Sequence, residues 1–409
     1  MGAFSGRFIL SGRRCLKIDP WDRARVRPTR IAGPNVEPKA LRSGRLMTAG
    51  VGGSTALTNE SMACAGASSV ASALFRHSRS WNEITKPFAR ANGRQAVTQL
   101  LNTGLPFLLL IAGLICGNRD HPLLTLPLVP PAAFLLVRLF IIQHDCGHGS
   151  FFASRRANDC LGRILGVLTL TPYVFWRTGH AIHHANSGKL DQRGVGDITM
   201  LTVREYRELS WSRRLLYRAY RHPIVLFGLG PFYMFVLKNR IPTVRLCGHK
   251  NVWGSIFGTD LALAAIVVLV LLTVGARAFM LAYLPVVLLA ATVGIWMFYM
   301  QHQYERAYWA TGSDWDFSAA ALQGSSYYDL PVVLHWLTGF IGFHHIHHIC
   351  SKIPNYNLRD CFNQTPEFRC VRHLTFRDSL GCFRLTLWDE ARQRLVSIRD
   401  IRGREPAPT

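Results

Sequence analysis

The sequence predicts an all-α integral membrane protein: four transmembrane helices in two hairpins beneath a cytosolic helical cap that holds a histidine-rich metal site. Three observations carry this reading. Four long apolar runs stand in a 409-residue chain that is 49 % hydrophobic and only 17 % charged, against roughly 25 % charged in soluble domains. Basic residues crowd the segments between and before those runs. Histidines gather where the second and fourth runs end. The composition excludes an intrinsically disordered chain and fits an ordinary cytosolic enzyme poorly. A net charge of +23 points to nucleic acid or to an anionic membrane surface. The apolar runs select the membrane, and no nucleic-acid partner is expected.

Residues 1–80 are rich in Arg, Gly, Ser and Ala without a clear period, and read as a disordered basic extension. Their composition also resembles a targeting segment, or an upstream translation artefact with Met47 or Met62 as the true start. FIL at 8–10 is too short for a signal-peptide core, and Gly6 stands where a myristoylation signal wants Ser or Thr. The folded domain is expected over 81–409. Spans are expected at 97–117, 123–143, from Leu261 through LALAAIVVLVLLTVGA, and at 279–300, each near the roughly 20 residues a bilayer requires. The second contains three prolines and Arg138. Shorter runs at 161–176 and 223–237 look interfacial or re-entrant. The stretch 386–401 puts Leu387, Ala391, Leu395 and Ile398 on one face and reads as an amphipathic helix.

Charge orients the bundle. Residues 1–98 and 154–255 each hold 16 Lys plus Arg against 5 acids, whereas the links between spans one and two and between spans three and four are only a few residues long. By the positive-inside rule the basic segments and the C-terminus are cytosolic. The ten cysteines form no Cys-x-x-Cys pair and support no disulfide framework.

Ten of the 16 histidines fall in four places: HDCGH (His144, His148), HAIHH (His180, His183, His184), QHQYE (His302) and HHIHH (His344, His345, His347, His348). Residues three and four apart share a helix face, so each box can aim its rings at one point, with His345 the odd one out. Clustered neutral imidazoles suit Fe, Zn, Cu or Ni. Nine of these rings (His144, His148, His180, His183, His184, His302, His344, His347 and His348) exceed what one ion binds. Zinc is satisfied by three or four ligands, so two redox ions with four or five nitrogens each give the better account. Two irons can activate O2 to attack an unactivated C–H bond. Soluble di-iron bundles rely on Glu, and no Glu lies inside these boxes. From Leu123 to His148 is 26 residues, about 39 Å of helix, so the ligands stand just above the bilayer with apolar walls beneath.

HDCGH, HAIHH and HHIHH resemble the three histidine boxes of membrane fatty-acid desaturases. The flanking HDCGHGSFF, SGKLDQRGVGDI, QHQYERAYW, ALQGSSYYDLP and GFHHIHHICSKIPNYNL are similar to the bacterial acyl-lipid omega-6 (delta-12) group, over about residues 81–400. The resemblance implies that the box histidines bind two irons, with His302 as the additional ligand after the fourth span. It also implies four spans, a cytosolic active site in a bacterial inner membrane, O2 as co-substrate and a cis double bond placed in a lipid-linked acyl chain. Membrane hydroxylases and carotenoid ketolases carry similar boxes and supply the alternative.

Metal-bound imidazoles usually donate their second N–H to a carboxylate or carbonyl. Asp145, Asp197, Glu305 and Asp329, with the leftover His345, are the candidates to support the ligand rings. Arg177, Lys189 and Arg193 are readable as headgroup or donor contacts, or simply as a positive-inside loop. Trp176, Tyr304, Trp309, Trp315 and Trp336 read as an interfacial aromatic belt. The sequence shows no phosphate-binding loop, nucleophile elbow, four-cysteine zinc pattern or His-Pro-Gly-Gly haem motif. Electrons are therefore expected from a separate ferredoxin or b-type cytochrome with its reductase. A metal transporter is the non-enzymatic rival, but transporters bind at the bilayer midplane, whereas these boxes follow the spans on one side.

Overall fold

The computed structural model describes residues 81–120 and 122–401. The disordered extension expected over 1–80 lies outside the described residues. Among those described, four helices are long and apolar enough to cross a membrane: Gly93–Asn118, Leu123–His148, Val252–Thr273 and Ala276–His302. They take in the four apolar runs, but the third begins at Val252 rather than at the expected Leu261 and ends at Thr273. The fold is all-α with small strand pairs in the cap. Its helices begin α1 (Gly93–Asp120), α2 (Val129–His148), α3 (Arg155–Leu168), α4 (Tyr173–Asn186), α5 (Trp211–Arg221), α6 (Val252–Thr273) and α7 (Ala276–His302).

Helix α2 is central. It packs against α1, α3 and α7, and Leu135, Leu136, Leu139 and Ile142 join Phe107, Leu114, Val286 and Ala290 in one core. Helix α6 has the opposite character, leaving Leu261, Ile266, Val268, Leu269 and Leu272 exposed. A helix apolar on all sides with one side unpacked is suited to face lipid. The first box ends α2 because the sequence stops the helix there. Gly149, at φ +66°, takes the left-handed conformation and bonds back to the Cys146 carbonyl, the C-terminal signal that glycine supplies cheaply.

The next two helices fold back onto that end. Tyr173, at the start of α4, donates its hydroxyl to the Cys146 carbonyl at 2.7 Å and to Asp159 Oδ1 at 3.0 Å. Its ring lies against Gly162 of α3, where an added Cβ would come within 2.3 Å of it. The apolar run 161–176 is thus no single interfacial segment. It is the end of α3, a turn and the start of α4, with Leu165, Tyr173, Val174 and Phe175 buried. The run 223–237 forms wide helical turns that leave Ile224, Leu229, Phe232, Val236 and Leu237 exposed, as an interfacial segment would.

Five short strands complete the cap: β1 (Leu201–Thr202), β2 (Tyr327–Asp329), β3 (His373–Thr375), β4 (Leu385–Asp389) and β5 (Arg394–Ser397). β1 runs parallel to β4, β4 antiparallel to β5, and β2 parallel to β3. The amphipathic helix expected over 386–401 is therefore corrected to the β4–β5 hairpin. Asp389 Oδ1 accepts the Ala391 and Arg392 amides and turns the chain, as Asp side chains do. Leu387, Trp388, Leu395 and Val396 are buried, and a surface helix would have left part of that set in solvent. Buried Arg221 fixes the hairpin, donating to the Leu385 carbonyl at 3.1 Å and to Tyr299 Oη at 2.8 Å.

Gly162→Val should lower the thermal unfolding midpoint of the detergent-solubilised protein. The pinned Tyr173 ring cannot yield, and overpacking of this kind costs about 1–3 kcal/mol. An unchanged midpoint would contradict the close approach of α3 and α4.

Candidate metal centre

Each box arrives on a different element. His144 and His148 occupy the last turn of α2. His180, His183 and His184 lie on α4, and His302 ends α7. His344, His347 and His348 lie on the short buried helix α8 (His344–Ile349). Long-range bonds hold these elements together. Lys352 Nζ donates to the His148 carbonyl at 2.6 Å, and Asn355 donates its amide and its Nδ2 to Asp145 Oδ2 at 2.6 and 2.9 Å. The chain after the third box is thereby stapled to the first.

The nine rings predicted to act together are brought together, in two groups. Ligand nitrogens of His144, His148, His180, His184 and His347 all lie within 4.8 Å of one another, and so do those of His183, His302 and His348. His344 adjoins the second group, its Nε2 being 3.0 Å from His302 Nε2 and 3.1 Å from His348 Nε2. Neighbours on one helix part company: His183 and His184 fall in different groups, as do His347 and His348.

Hydrogen bonds on the far side of the rings define what the near side offers. His183 Nδ1 contacts Asp197 Oδ1 at 2.6 Å, His144 Nδ1 contacts Asp145 Oδ1 at 3.0 Å, and His302 Nδ1 contacts the Gly324 carbonyl at 3.0 Å. A carbonyl or carboxylate can only accept, so these Nδ1 atoms donate and each Nε2 is a bare lone pair. His183 Nε2 and His302 Nε2 then face each other at 3.3 Å with no proton between them. His148 Nε2 is buried without a hydrogen-bond partner. Converging lone pairs repel unless a cation accepts them, so the residues fit a metal site. Burial, reinforced by neighbouring imidazoles, holds His180, His184, His344, His347 and His348 well below the ordinary imidazole range. Those five rings are thereby held neutral, the state a metal requires.

Of the five supporting candidates, Asp145 and Asp197 contact ring Nδ1 atoms, of His144 and His183 respectively. The other three lie elsewhere. Glu305 is paired with Arg394 at 2.7 Å in a half-exposed setting. Asp329 accepts the Tyr327 hydroxyl at 3.0 Å. His345 turns away into Tyr327, Phe362 and Phe368, where burial pushes it down to about 3. Glu305 follows the last span and Asp329 ends β2, both exposed, whereas Asp145 lies within α2 beside His144 and Asp197 lies in the loop after α4, folded back onto His183.

Three contributors lacked a sequence signal: the Gly324 carbonyl, Lys352 and Asn355. The aromatic-belt expectation is corrected for several residues. Trp176 stacks on His180 with ring centroids 4.6 Å apart, Tyr304 and Trp309 are buried, and Trp336 covers Arg138. Arg177 and Arg193 are taken up by Asp159 and Glu205, and Lys189 lies over the Trp315 ring.

Asp197→Ala should weaken metal binding about 10- to 100-fold, read by metal content after dialysis against a graded chelator. Glu305→Gln should leave it unchanged. Equal loss in both variants would remove Asp197 from its supporting role.

Comparison with known proteins gives this geometry a family. The family profile described as fatty acid desaturase matches residues 121–378. A protein named fatty acid desaturase from Bacillus subtilis (strain 168) is 42 % identical over 315 residues, covering 77 % of this chain and 89 % of that one. An sn-1 acyl-lipid omega-3 desaturase (ferredoxin) from Synechocystis is 31 % identical over 236 residues, 54 % of this chain and 61 % of its own length. An sn-1 oleoyl-lipid 12-desaturase from Anabaena variabilis is 28 % identical over 255 residues, 57 % and 66 % respectively. With four apolar spans, two of which end at two groups of inward-facing imidazoles, and with a profile matched over more than half its length, the chain belongs to the fatty acid desaturase family of enzymes.

Proposed function

We propose that this enzyme holds two irons and, with O2, inserts a second cis double bond at delta-12 of a monounsaturated, lipid-linked C18 acyl chain. The observation that carries the reading is the division of nine imidazoles into two adjacent groups at the ends of apolar helices. His144, His148, His180, His184 and His347 would hold one ion, and His183, His302, His344 and His348 the other. The chemistry such a pair supplies when bound is oxidation of two neighbouring C–H bonds at the expense of O2. The chain's own residues hold and orient the rings: Asp145, Asp197 and the Gly324 carbonyl retain Nδ1 protons, so that Nε2 stays free to bind. Trp176 and Phe298 pack against the ligand rings, Phe140 backs Trp176, and together they keep water from the rings.

The regiochemistry and the donor are supported by the relatives, one named as an oleoyl-lipid 12-desaturase and one as ferredoxin-dependent. A small acidic ferredoxin suits the basic cap, and a separate b-type cytochrome is the alternative. The charge asymmetry supports boxes on the cytosolic side, and the Bacillus relative supports a bacterial inner membrane. Desaturation rather than hydroxylation requires adjacent C–H bonds held at fixed positions, which is a matter of orientation.

Expression in a host that makes oleoyl but no polyunsaturated lipids should yield linoleoyl chains by gas chromatography–mass spectrometry. Hydroxy-fatty acids, or change only in a co-expressed carotenoid, would favour a hydroxylase or ketolase instead. His148→Ala, His183→Ala and His347→Ala should each abolish product while the protein still inserts; full activity would remove that residue from the ligand set. Elemental analysis of active enzyme should find two irons per chain, and one iron or stoichiometric zinc would reject the di-iron assignment.

A further inference from the structure

We propose that a polar crevice beside the first histidine box receives the phosphodiester headgroup of a membrane glycerophospholipid whose headgroup carries a hydrogen-bond donor. The proposal rests on the acyl-lipid reading above and names the class of lipid it would take.

The crevice has a volume of about 260 Å³ and lies between the start of α1 and the segment that follows the third box. Its lining includes Arg94, Gln99, Asn102, Arg138, Asn355 and Tyr356. Arg138 belongs to a membrane span and is only 4 % exposed. Its Nε donates to Thr103 Oγ1 at 3.0 Å, its Nη1 donates to the Trp336 carbonyl, and the guanidinium lies 3.9 Å from the Trp336 ring centroid. All of these partners are neutral. Among the described residues the guanidinium makes these hydrogen bonds through Nε and Nη1, and no carboxylate pairs with it. A buried, unpaired charge is costly, and intramembrane arginines normally face a partner or a polar cavity. Here the cavity is present and the counter-charge is not part of the chain. Arg94 stands exposed at the rim as a second cation.

Gln99, which lines the crevice, carries a second unmet polar atom, and the hydrogen-bond network fixes which one it is. Asp145 is a carboxylate, so Asn355 must turn Nδ2 toward it. That leaves Asn355 Oδ1 to accept Gln99 Nε2 at 2.8 Å. Gln99 Oε1 is then buried without a partner. An oxyanion alone would satisfy Arg138 and leave Gln99 Oε1 orphaned. A phosphodiester bearing a hydroxyl or an ammonium satisfies both, which selects phosphatidylglycerol or phosphatidylethanolamine over a free carboxylate or inorganic phosphate.

Depth agrees. Arg138 precedes His148 by ten residues, about 15 Å of helix. A 26-residue span of about 39 Å exceeds the roughly 30 Å hydrocarbon core by about 9 Å. If that excess lies on the box side, the Arg138 Cα sits about 6 Å below the hydrocarbon edge, within reach of an arginine side chain extended toward the headgroups. The same residues connect crevice to box, since Gln99 bonds Asn355, Asn355 bonds Asp145, and Asp145 holds His144.

The test is retention of lipid by the full-length protein in detergent, counted by native mass spectrometry, with dioleoyl-phosphatidylglycerol, -phosphatidylethanolamine and -phosphatidylcholine, dioleoylglycerol, oleate and inorganic phosphate as probes. The first two should be retained at least about tenfold better than dioleoylglycerol, as one charge-assisted contact implies. Phosphatidylcholine, which lacks a headgroup donor, should fall below both. Arg138→Gln should remove about tenfold of the preference and Arg94→Gln about threefold, with dioleoylglycerol retention unchanged. Arg138 also packs on Trp336 and its variant can fail to fold; Arg94→Gln and the wild-type probe series then decide. Equal retention of dioleoylglycerol, displacement of phosphatidylglycerol by equimolar oleate or phosphate, or an undiminished preference in Arg94→Gln would overturn the proposal. Binding is read without turnover. Phospholipid preference without linoleoyl product would sink the activity reading alone, and product without preference would sink the headgroup site alone.

Discussion

Nine imidazoles whose ring nitrogens converge cannot hold one another in place. Each ring has a single N–H, and where that proton is spent on Asp197, Asp145 or the Gly324 carbonyl, the inward nitrogen can only accept. Facing acceptors such as His183 Nε2 and His302 Nε2, 3.3 Å apart, repel until a cation joins them. The arrangement must therefore be imposed from outside the cluster, and much of the architecture supplies that restraint. This is the outer support that metal sites generally need.

The spans set the level of the site. Helices α2 and α7 deliver His148 and His302 from their last turns, and Gly149 ends α2 before the helix can carry the ring away. The cap then closes over that level from two directions. Tyr173 ties α4 down through Cys146 and Asp159, while Lys352 and Asn355 tie the third box to His148 and Asp145. Neither closure is a local contact; the pairs are separated by 14 to 210 residues. Burial follows from the closure and keeps the cap imidazoles neutral, so packing and metal competence have one cause.

Polar groups inside the apolar helices follow the same logic. Gln143 meets Thr169 and Thr171 across a helix boundary, and Arg138 lies on Trp336 and Thr103. In a membrane every such group must find a partner or line a cavity. The Gln99–Asn355–Asp145–His144 chain runs from a crevice at the start of α1 to a box ring. The environment of the crevice and the orientation of that ring therefore share residues.

The four spans and the three boxes were legible in the sequence, because an apolar run of bilayer length and an i, i+3, i+4 spacing are local patterns with local physical meaning. His345 was separable from its neighbours on spacing alone, and it does turn into an aromatic pocket. Asp145 was legible for the same reason, being adjacent to His144. What only the tertiary structure decided is which partner each group meets at long range. Glu305 and Asp329 had the same chemistry as Asp197, and Glu305 stands nearer a box histidine in sequence, yet they meet Arg394 and Tyr327 instead. The stretch 386–401 carried a helical period and became a hairpin, because Arg221, Tyr217 and Glu305 receive its backbone as strands. The partition of His183 from His184, and of His347 from His348, has a local half and a distant half. Successive helix residues point about 100° apart, so they must diverge, but which group each one joins depends on where α2, α7 and α8 bring the facing rings.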